Sequence, residues 1–271
     1  MDTTNSIIDY YSRFDEWGRL DREPIEFIIN WHYIKDYLPQ HGHVLDNGAG
    51  PGKYSMELAK HGYDVTLSDL TPRLVEIAEE KAAELDVKYR FKGFHILNAT
   101  DLQPLADESY DASLMLGPLY HLQREEDRVR AVKELHRVTK KEGIVFIAFQ
   151  SRIRMAINSL QFPQFWKPND TIEAINTFYD NGIFNHRDSG RFTGAYYFHV
   201  DEIKPFMESH GFATLDLIGS SSINSLLSTE QRDAWEQQGH SQQLLNTLIK
   251  LAKEPSVFGV SSHLLYIGKK R

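Results

Sequence analysis

Two spacings of apolar residues alternate along the chain. Short apolar runs at about 43–47, 64–68, 92–97, 110–116 and 143–149 read as strands. Between most of them, stretches near 53–61, 72–86 and 124–139 carry apolar residues at helical spacing. Ile7 to Trp17 and Pro24 to Leu38 add two helices before the first strand, Pro24 suiting a first helical turn, and these are expected to cap the entrance to the fold. Thr71 before Pro72 reads as an N-cap, and Glu76, Glu79, Glu80, Lys81 and Glu84 form a solvated face. After the fifth strand the pattern loosens from Gln150 to Arg191, then resumes as a helix over Val200 to His210 and a strand over Phe212 to Gly219. A polar helical region from Ser228 to Glu254 precedes an alternating segment, Val257 to Ile267, that reads as a closing strand.

Strands alternating with helices call for right-handed crossovers and one largely parallel α/β sheet. The expected organisation is one unit: a helical cap over 1–40, a ligand-binding core over 41–150, a lid insertion over 151–198 and the remainder of the sheet over 199–271. Neither internal repeats nor low-complexity segments interrupt it.

Candidate chemistry concentrates where the first strand ends, in Asp46-Asn47-Gly48-Ala49-Gly50-Pro51-Gly52, and where the second ends, at Asp69. Alternate glycines allow a sharp turn and a close approach of backbone to ligand, and the helix from about Lys53 points its N-terminus there. An acid after the second strand suits ribose hydroxyls. A dinucleotide loop needs its third glycine three residues after the second, and that position is Lys53. A ligand with a ribose and an amino-acid tail but no phosphate fits better. An NAD(P)-dependent oxidoreductase shares Gly48, Gly50 and Asp69 and stands as an alternative, as does a binding protein without turnover.

Asp46-x-Gly48-x-Gly50-x-Gly52 resembles motif I of the class I S-adenosylmethionine-dependent methyltransferases, and the resemblance extends through the next hundred residues. It implies a Rossmann-like, seven-stranded, mostly parallel sheet whose antiparallel last strand is inserted beside the sixth. It implies S-adenosyl-L-methionine as cofactor and methyl transfer to a nucleophilic atom of a small-molecule acceptor. Asp46, Gly48 and Gly50 would cradle the cofactor, with Asp69 and Leu70 at the ribose. Asn98 and Ala99 would lie at the adenine; Asn98 stands where the family usually has Asp, and Asp101 is the fallback partner. Leu116 and Gly117 would flank the sulfonium, while Tyr120 and His121 face the acceptor. A histidine there is placed to take a proton, its ordinary pKa being near neutrality, although a helix-start histidine bonded to backbone is the plainer reading.

Near the N-terminus, Tyr11 and Arg19 offer aromatic cover and a cation for the cofactor's carboxylate, against the competing reading of an amphipathic helix packing on the core. Tyr196, Tyr197 and His199 resemble an acceptor-facing element of bacterial small-molecule methyltransferases and could equally be core. Phe162, Phe165, Trp166, Phe178, Tyr179 and Phe184 suggest an apolar or aromatic acceptor if they line the pocket; otherwise they form the lid's own core or a dimer interface.

A formal charge of −8 leaves no basic stripe for phosphates and argues against a nucleic-acid substrate. Absence of cysteine removes thiolate catalysis, disulfides and cysteine-bound zinc, and the histidines lack ligand spacing, so no metal is expected. The first residues lack a secretory pattern and no apolar stretch could span a bilayer, which makes cytoplasmic residence the default expectation. A monomer and a homodimer are both compatible with this composition.

Overall fold

The computed structural model describes residues 3–18, 24–187 and 194–271. Helices α1 (Thr3–Tyr11) and α2 (Pro24–Tyr37) precede β1 (His43–Asn47), followed by α3 (Lys53–Lys60), β2 (Asp64–Asp69), α4 (Pro72–Glu84) and β3 (Phe91–Ile96). Next come β4 (Tyr110–Met115), α5 (Pro118–His121), α6 (Glu125–Val138) and β5 (Thr139–Gln150). Helices α7 (Arg152–Gln161) and α8 (Ile172–Asn181) lead to a small hairpin, β6 (Ile183–Phe184) with β7 (Ala195–Tyr196). The chain then forms α9 (Val200–Ser209), β8 (Phe212–Gly219), α10 (Thr229–Gln237), α11 (Ser241–Leu251), α12 (Pro255–Phe258) and β9 (His263–Lys270).

Seven strands make one sheet in the order β3-β2-β1-β4-β5-β9-β8. Pairs from β3 through β5 are parallel, and β9 runs antiparallel to both of its neighbours. Two apolar layers cover the faces, as a parallel sheet requires. On one face Ile29, Ile34, Met56, Leu58 and Ala78 pack on Val44, Val65, Ala112 and Phe146. On the other, Leu119, Val132, Leu135, Ile203 and Met207 pack on Met115, Val145, Ile147 and Phe149. The alternation along β4 and β5 sends successive side chains to opposite layers.

Three local expectations need correction. Val257 belongs to α12, opened by Pro255 at its first position, so the closing strand starts at His263. The first helix stops at Tyr11, and a new helical turn starts at Glu16, where the Gly18 N–H donates to Asp15 Oδ1 at 2.9 Å. Thr71 sits at the N-cap of α4 in extended conformation, but its side chain makes no cap bond. Its N–H instead donates to Asp69, which ties the helix start to the end of β2. No described helix is long and apolar enough to cross a membrane.

Candidate active site

At the carboxyl edge of the sheet the chain leaves β1 through left-handed glycines. Gly48 (φ 72°) and Ala49 both donate their N–H groups to Ser68 O, at 2.7 and 3.0 Å, stitching the turn to β2. A Cβ on Gly48 would lie 2.0 Å from Pro118 Cγ, so this position must be bare for α5 to seat. Gly50 (φ 56°) is different: the nearest atom to its Cβ position is Glu16 Cγ at 3.5 Å, and its surface faces the cavity. The Gly50 N–H donates to Asp69 Oδ2 and the Thr71 N–H to Asp69 Oδ1, both at 2.8 Å. Asp69 is thereby aimed by the backbone while each of its oxygens keeps acceptor capacity. Burial pushes its pKa up, and hydrogen bonds from Thr71, Gly50 and Leu70 partly offset that.

Asp46, 2% exposed, accepts a 2.6 Å hydrogen bond from Ser55 Oγ. Burial raises its carboxyl to about 6, with the nearby Asp69 charge adding to the rise and Ser55 opposing it. The unfolded chain therefore loses this proton at lower pH than the folded protein does, and Asp46 subtracts stability as pH climbs from about 4 to about 6. Asp46→Asn should remove that penalty. Its stability relative to the native protein should gain on the order of 2–3 kcal/mol between pH 4 and pH 7.5. Urea midpoints measured at the two pH values check this; an unchanged difference would mean that Asp46 titrates normally.

Around this turn opens a cavity of about 1110 Å³, its mouth included. Asp46, Gly48, Gly50, Asp69, Leu70, Asn98, Ala99, Leu116, Gly117, Tyr120, His121 and Tyr11 all line it, uniting loops after β1, β2, β3 and β4 with α1. Arg19 lies outside the described residues. Asn98 is on the wall, but its Oδ1 already accepts from Thr100 N and Thr100 Oγ1, both at 3.0 Å, so the expected adenine acceptor is spent within its own loop. Asp101 is exposed, accepts from Gln103 N at 3.2 Å and does not reach the cavity.

The proton-accepting role expected of His121 is weakened. Its Nε2 meets Tyr11 Oη at 3.0 Å, and burial lowers its pKa to about 3, leaving a neutral ring that gains protons poorly near neutrality. Tyr196, Tyr197 and His199 are off the cavity wall altogether. The Tyr196 ring lies 3.6 Å from the Arg128 guanidinium carbon, and its hydroxyl accepts from Arg152 Nη2 at 3.1 Å. Tyr197 packs on the buried Met155, Phe178 and Phe184, and burial raises its hydroxyl pKa. His199 caps α9 and meets Tyr179 edge-on. Phe178, Phe184 and Trp166 likewise form a local core, whereas Phe162, Phe165 and Tyr179 are exposed, so none of the six lid aromatics lines the cavity.

Sequence reasoning passed over Glu16, Glu26, Lys53 and Tyr54, which also line the cavity. Lys53 could have been found from its place directly after the glycine turn, and Glu26 from the first turn of a helix led by Pro24. Asn47, 1% exposed, leaves its Nδ2 without a partner among the described residues. No group of three metal-ligating side chains occurs among the described residues.

Known proteins resemble the chain over this same region. Residues 45–147 match the methyltransferase domain family, spanning the glycine turn through β5. A putative methyltransferase of Bacillus subtilis, YqeM, is 27% identical over 150 residues, covering 54% of this chain and 56% of that protein. A ubiquinone biosynthesis O-methyltransferase of Coxiella burnetii is 27% identical over 211 residues, 76% of this chain and 80% of its own length. A glycine/sarcosine N-methyltransferase of Aphanothece halophytica is 25% identical over 210 residues, 71% of this chain and 78% of that protein. Among solved structures, a Pyrococcus horikoshii protein aligns with TM-score 0.64 at 15% identity, over 97% of this chain and 99% of its own. A SAM-dependent methyltransferase of Methanosarcina mazei aligns at 0.58 with 21% identity, over 88% and 96%. These two likenesses are of fold. Lys53 opens α3 at the position where a dinucleotide loop needs glycine. Matched domain, strand order and glycine turn agree: over residues 45–147 and in its fold the chain is similar to the class I S-adenosylmethionine-dependent methyltransferases.

Proposed function

We propose that the protein transfers the methyl group of S-adenosylmethionine to a nucleophilic atom of a small-molecule acceptor bound beside Tyr120. The observation that carries this reading is the Gly50–Asp69 hydrogen bond at the cavity wall, which presents a buried carboxylate next to backbone able to approach a ligand closely. The residues present fit the cofactor. Asp69 keeps lone pairs for ribose hydroxyls, and Leu70, Leu74 and Leu97 supply apolar wall for a purine. Asn47 Nδ2 is a buried donor without a partner among the described residues, and Asp46 is a buried carboxylate suited to a cationic ligand.

The bound cofactor supplies an activated methyl group on a sulfonium. The chain's part is to hold donor and acceptor in line and keep water out, which can contribute several kcal/mol through proximity alone. Leu116 and Gly117 support this from the end of β4, and Tyr11, hydrogen-bonded to His121, brings α1 onto the same wall. The acceptor side carries carboxylate, phenol and imidazole rather than the lid aromatics, which favours a small polar nucleophile over a large apolar one.

Calorimetric titration tests the reading. S-adenosylmethionine is expected to bind with a micromolar Kd and NADH not at all; NADH binding in place of S-adenosylmethionine would reverse it.

A further inference from the structure

We propose that the carboxylate of Glu26, oriented by His263, is the group that takes the proton from the acceptor. This rests on the methyl-transfer reading and names the residues that complete it.

Glu26 stands in the first turn of α2 and lines the cavity. His263 opens β9, and its Nδ1 lies 3.1 Å from Glu26 Oε2, both side chains being about four-fifths buried. The other ring nitrogen, Nε2, lies 3.3 Å from Gln150 Nε2, on the residue that pairs with His263 across the β5–β9 ladder. An amide nitrogen can only donate, so Nε2 accepts and the ring proton sits on Nδ1, the nitrogen that faces the Glu26 carboxylate. The Tyr120 ring, on the cavity wall, lies 5.7 Å from the His263 ring and links the pair to the loop after β4.

Sheet order places this pair on the acceptor side. From Asp69 at the end of β2 the edge runs through the glycine turn after β1 and Leu116–His121 after β4 to Gln150 on β5 and His263 on β9. A cofactor with its ribose at Asp69 and its tail along the glycine turn would leave the edge beyond Leu116–His121, where Glu26 and His263 lie, to the acceptor. The other carboxylates on the wall stand at the glycine turn: Asp69 accepts from two backbone amides there, Asp46 from Ser55, and Glu16 lies beside Gly50. His121, neutral and bonded to Tyr11, is the weaker base.

The chemistry balances. As the acceptor's lone pair bonds to the methyl carbon, the electron pair of the methyl–sulfur bond stays on sulfur, leaving a neutral thioether. The N–H or O–H proton of the acceptor passes to the Glu26 carboxylate and then to water. His263 is a positioning residue, touching Glu26 and not the reacting atoms.

A binding experiment tests this without knowledge of the acceptor. Sinefungin carries an amine-bearing carbon where S-adenosylhomocysteine has sulfur, so its ammonium probes the position from which the methyl leaves. Affinities for both would be measured by calorimetry at pH 7.5 in native protein, Glu26→Gln, His263→Phe and His263→Asn. Native protein should favour sinefungin. Glu26→Gln should lose that preference at least about tenfold while its S-adenosylhomocysteine affinity stays put. His263→Phe should lose part of it, and His263→Asn, which can still donate to Glu26, should restore it. An unmoved ratio, or parallel loss of both affinities in Glu26→Gln, overturns the proposal by placing Glu26 away from the transfer position. Native protein that binds neither compound overturns the methyl-transfer reading itself.

Discussion

Asp69→Ala should weaken S-adenosylmethionine binding by two orders of magnitude or more. Hydrogen bonds from hydroxyls to a carboxylate contribute about 1.5–3 kcal/mol each, and loss of a pair corresponds to at least about 100-fold in Kd. The variant also strands the Gly50 and Thr71 N–H groups that Asp69 now accepts from, so the turn itself loosens. Asp69→Asn separates the two contributions. It retains one acceptor oxygen for the backbone but replaces the other with a donor, and should keep the native melting temperature more closely than Ala while still binding weakly. Titration calorimetry on both variants, with thermal unfolding as the control for folding, decides it; full affinity in Asp69→Ala would remove the ribose from this position.

Gly48→Ala should be the most damaging single substitution in the glycine turn, and its damage should fall on the fold. At φ 72° any Cβ is strained, costing about 1–2 kcal/mol, and this one would lie 2.0 Å from Pro118 Cγ and 2.4 Å from Cδ. Overpacking of a rigid ring adds about 1–3 kcal/mol, so a loss of roughly 3 kcal/mol or more is expected from urea denaturation. Gly50→Ala has the same kind of backbone strain but open space, its nearest neighbour being Glu16 Cγ at 3.5 Å. It should cost only about 1–2 kcal/mol of stability and instead weaken cofactor binding, because the new methyl faces the cavity. Equal stability losses in the two variants would contradict this division of labour.

That division was only half legible in the sequence. The glycines, Asp46 and Asp69 announced themselves because turn chemistry is local: a few neighbouring residues decide the conformation. Alternating apolar segments likewise gave the sheet and its order of helices, since each strand of a parallel sheet is buried on both faces. Other features depended on partners distant in the chain. Tyr196 to His199 resembled a substrate element, yet Arg128, Arg152 and the Phe178–Phe184 core claim those rings. His121 carried the right ordinary pKa, but the α1 residue Tyr11 contacts its ring and burial changes its chemistry. Glu26 and His263 come together only because β9 inserts against β5, a pairing that no local pattern reports.

The insertion of β9 also constrains the order of assembly. Among the described residues, strand β8 has no neighbour in the sheet other than β9, which comes after it in the chain. While a nascent polypeptide emerges from the ribosome, the parallel strands β1 to β5 can pair as they appear, but β8 must wait with its backbone unpaired until His263–Lys270 arrives and bridges it to β5. The part of the sheet from β1 to β5 can therefore take shape during synthesis, whereas the part holding His263 is completed only when two strands zip on at once.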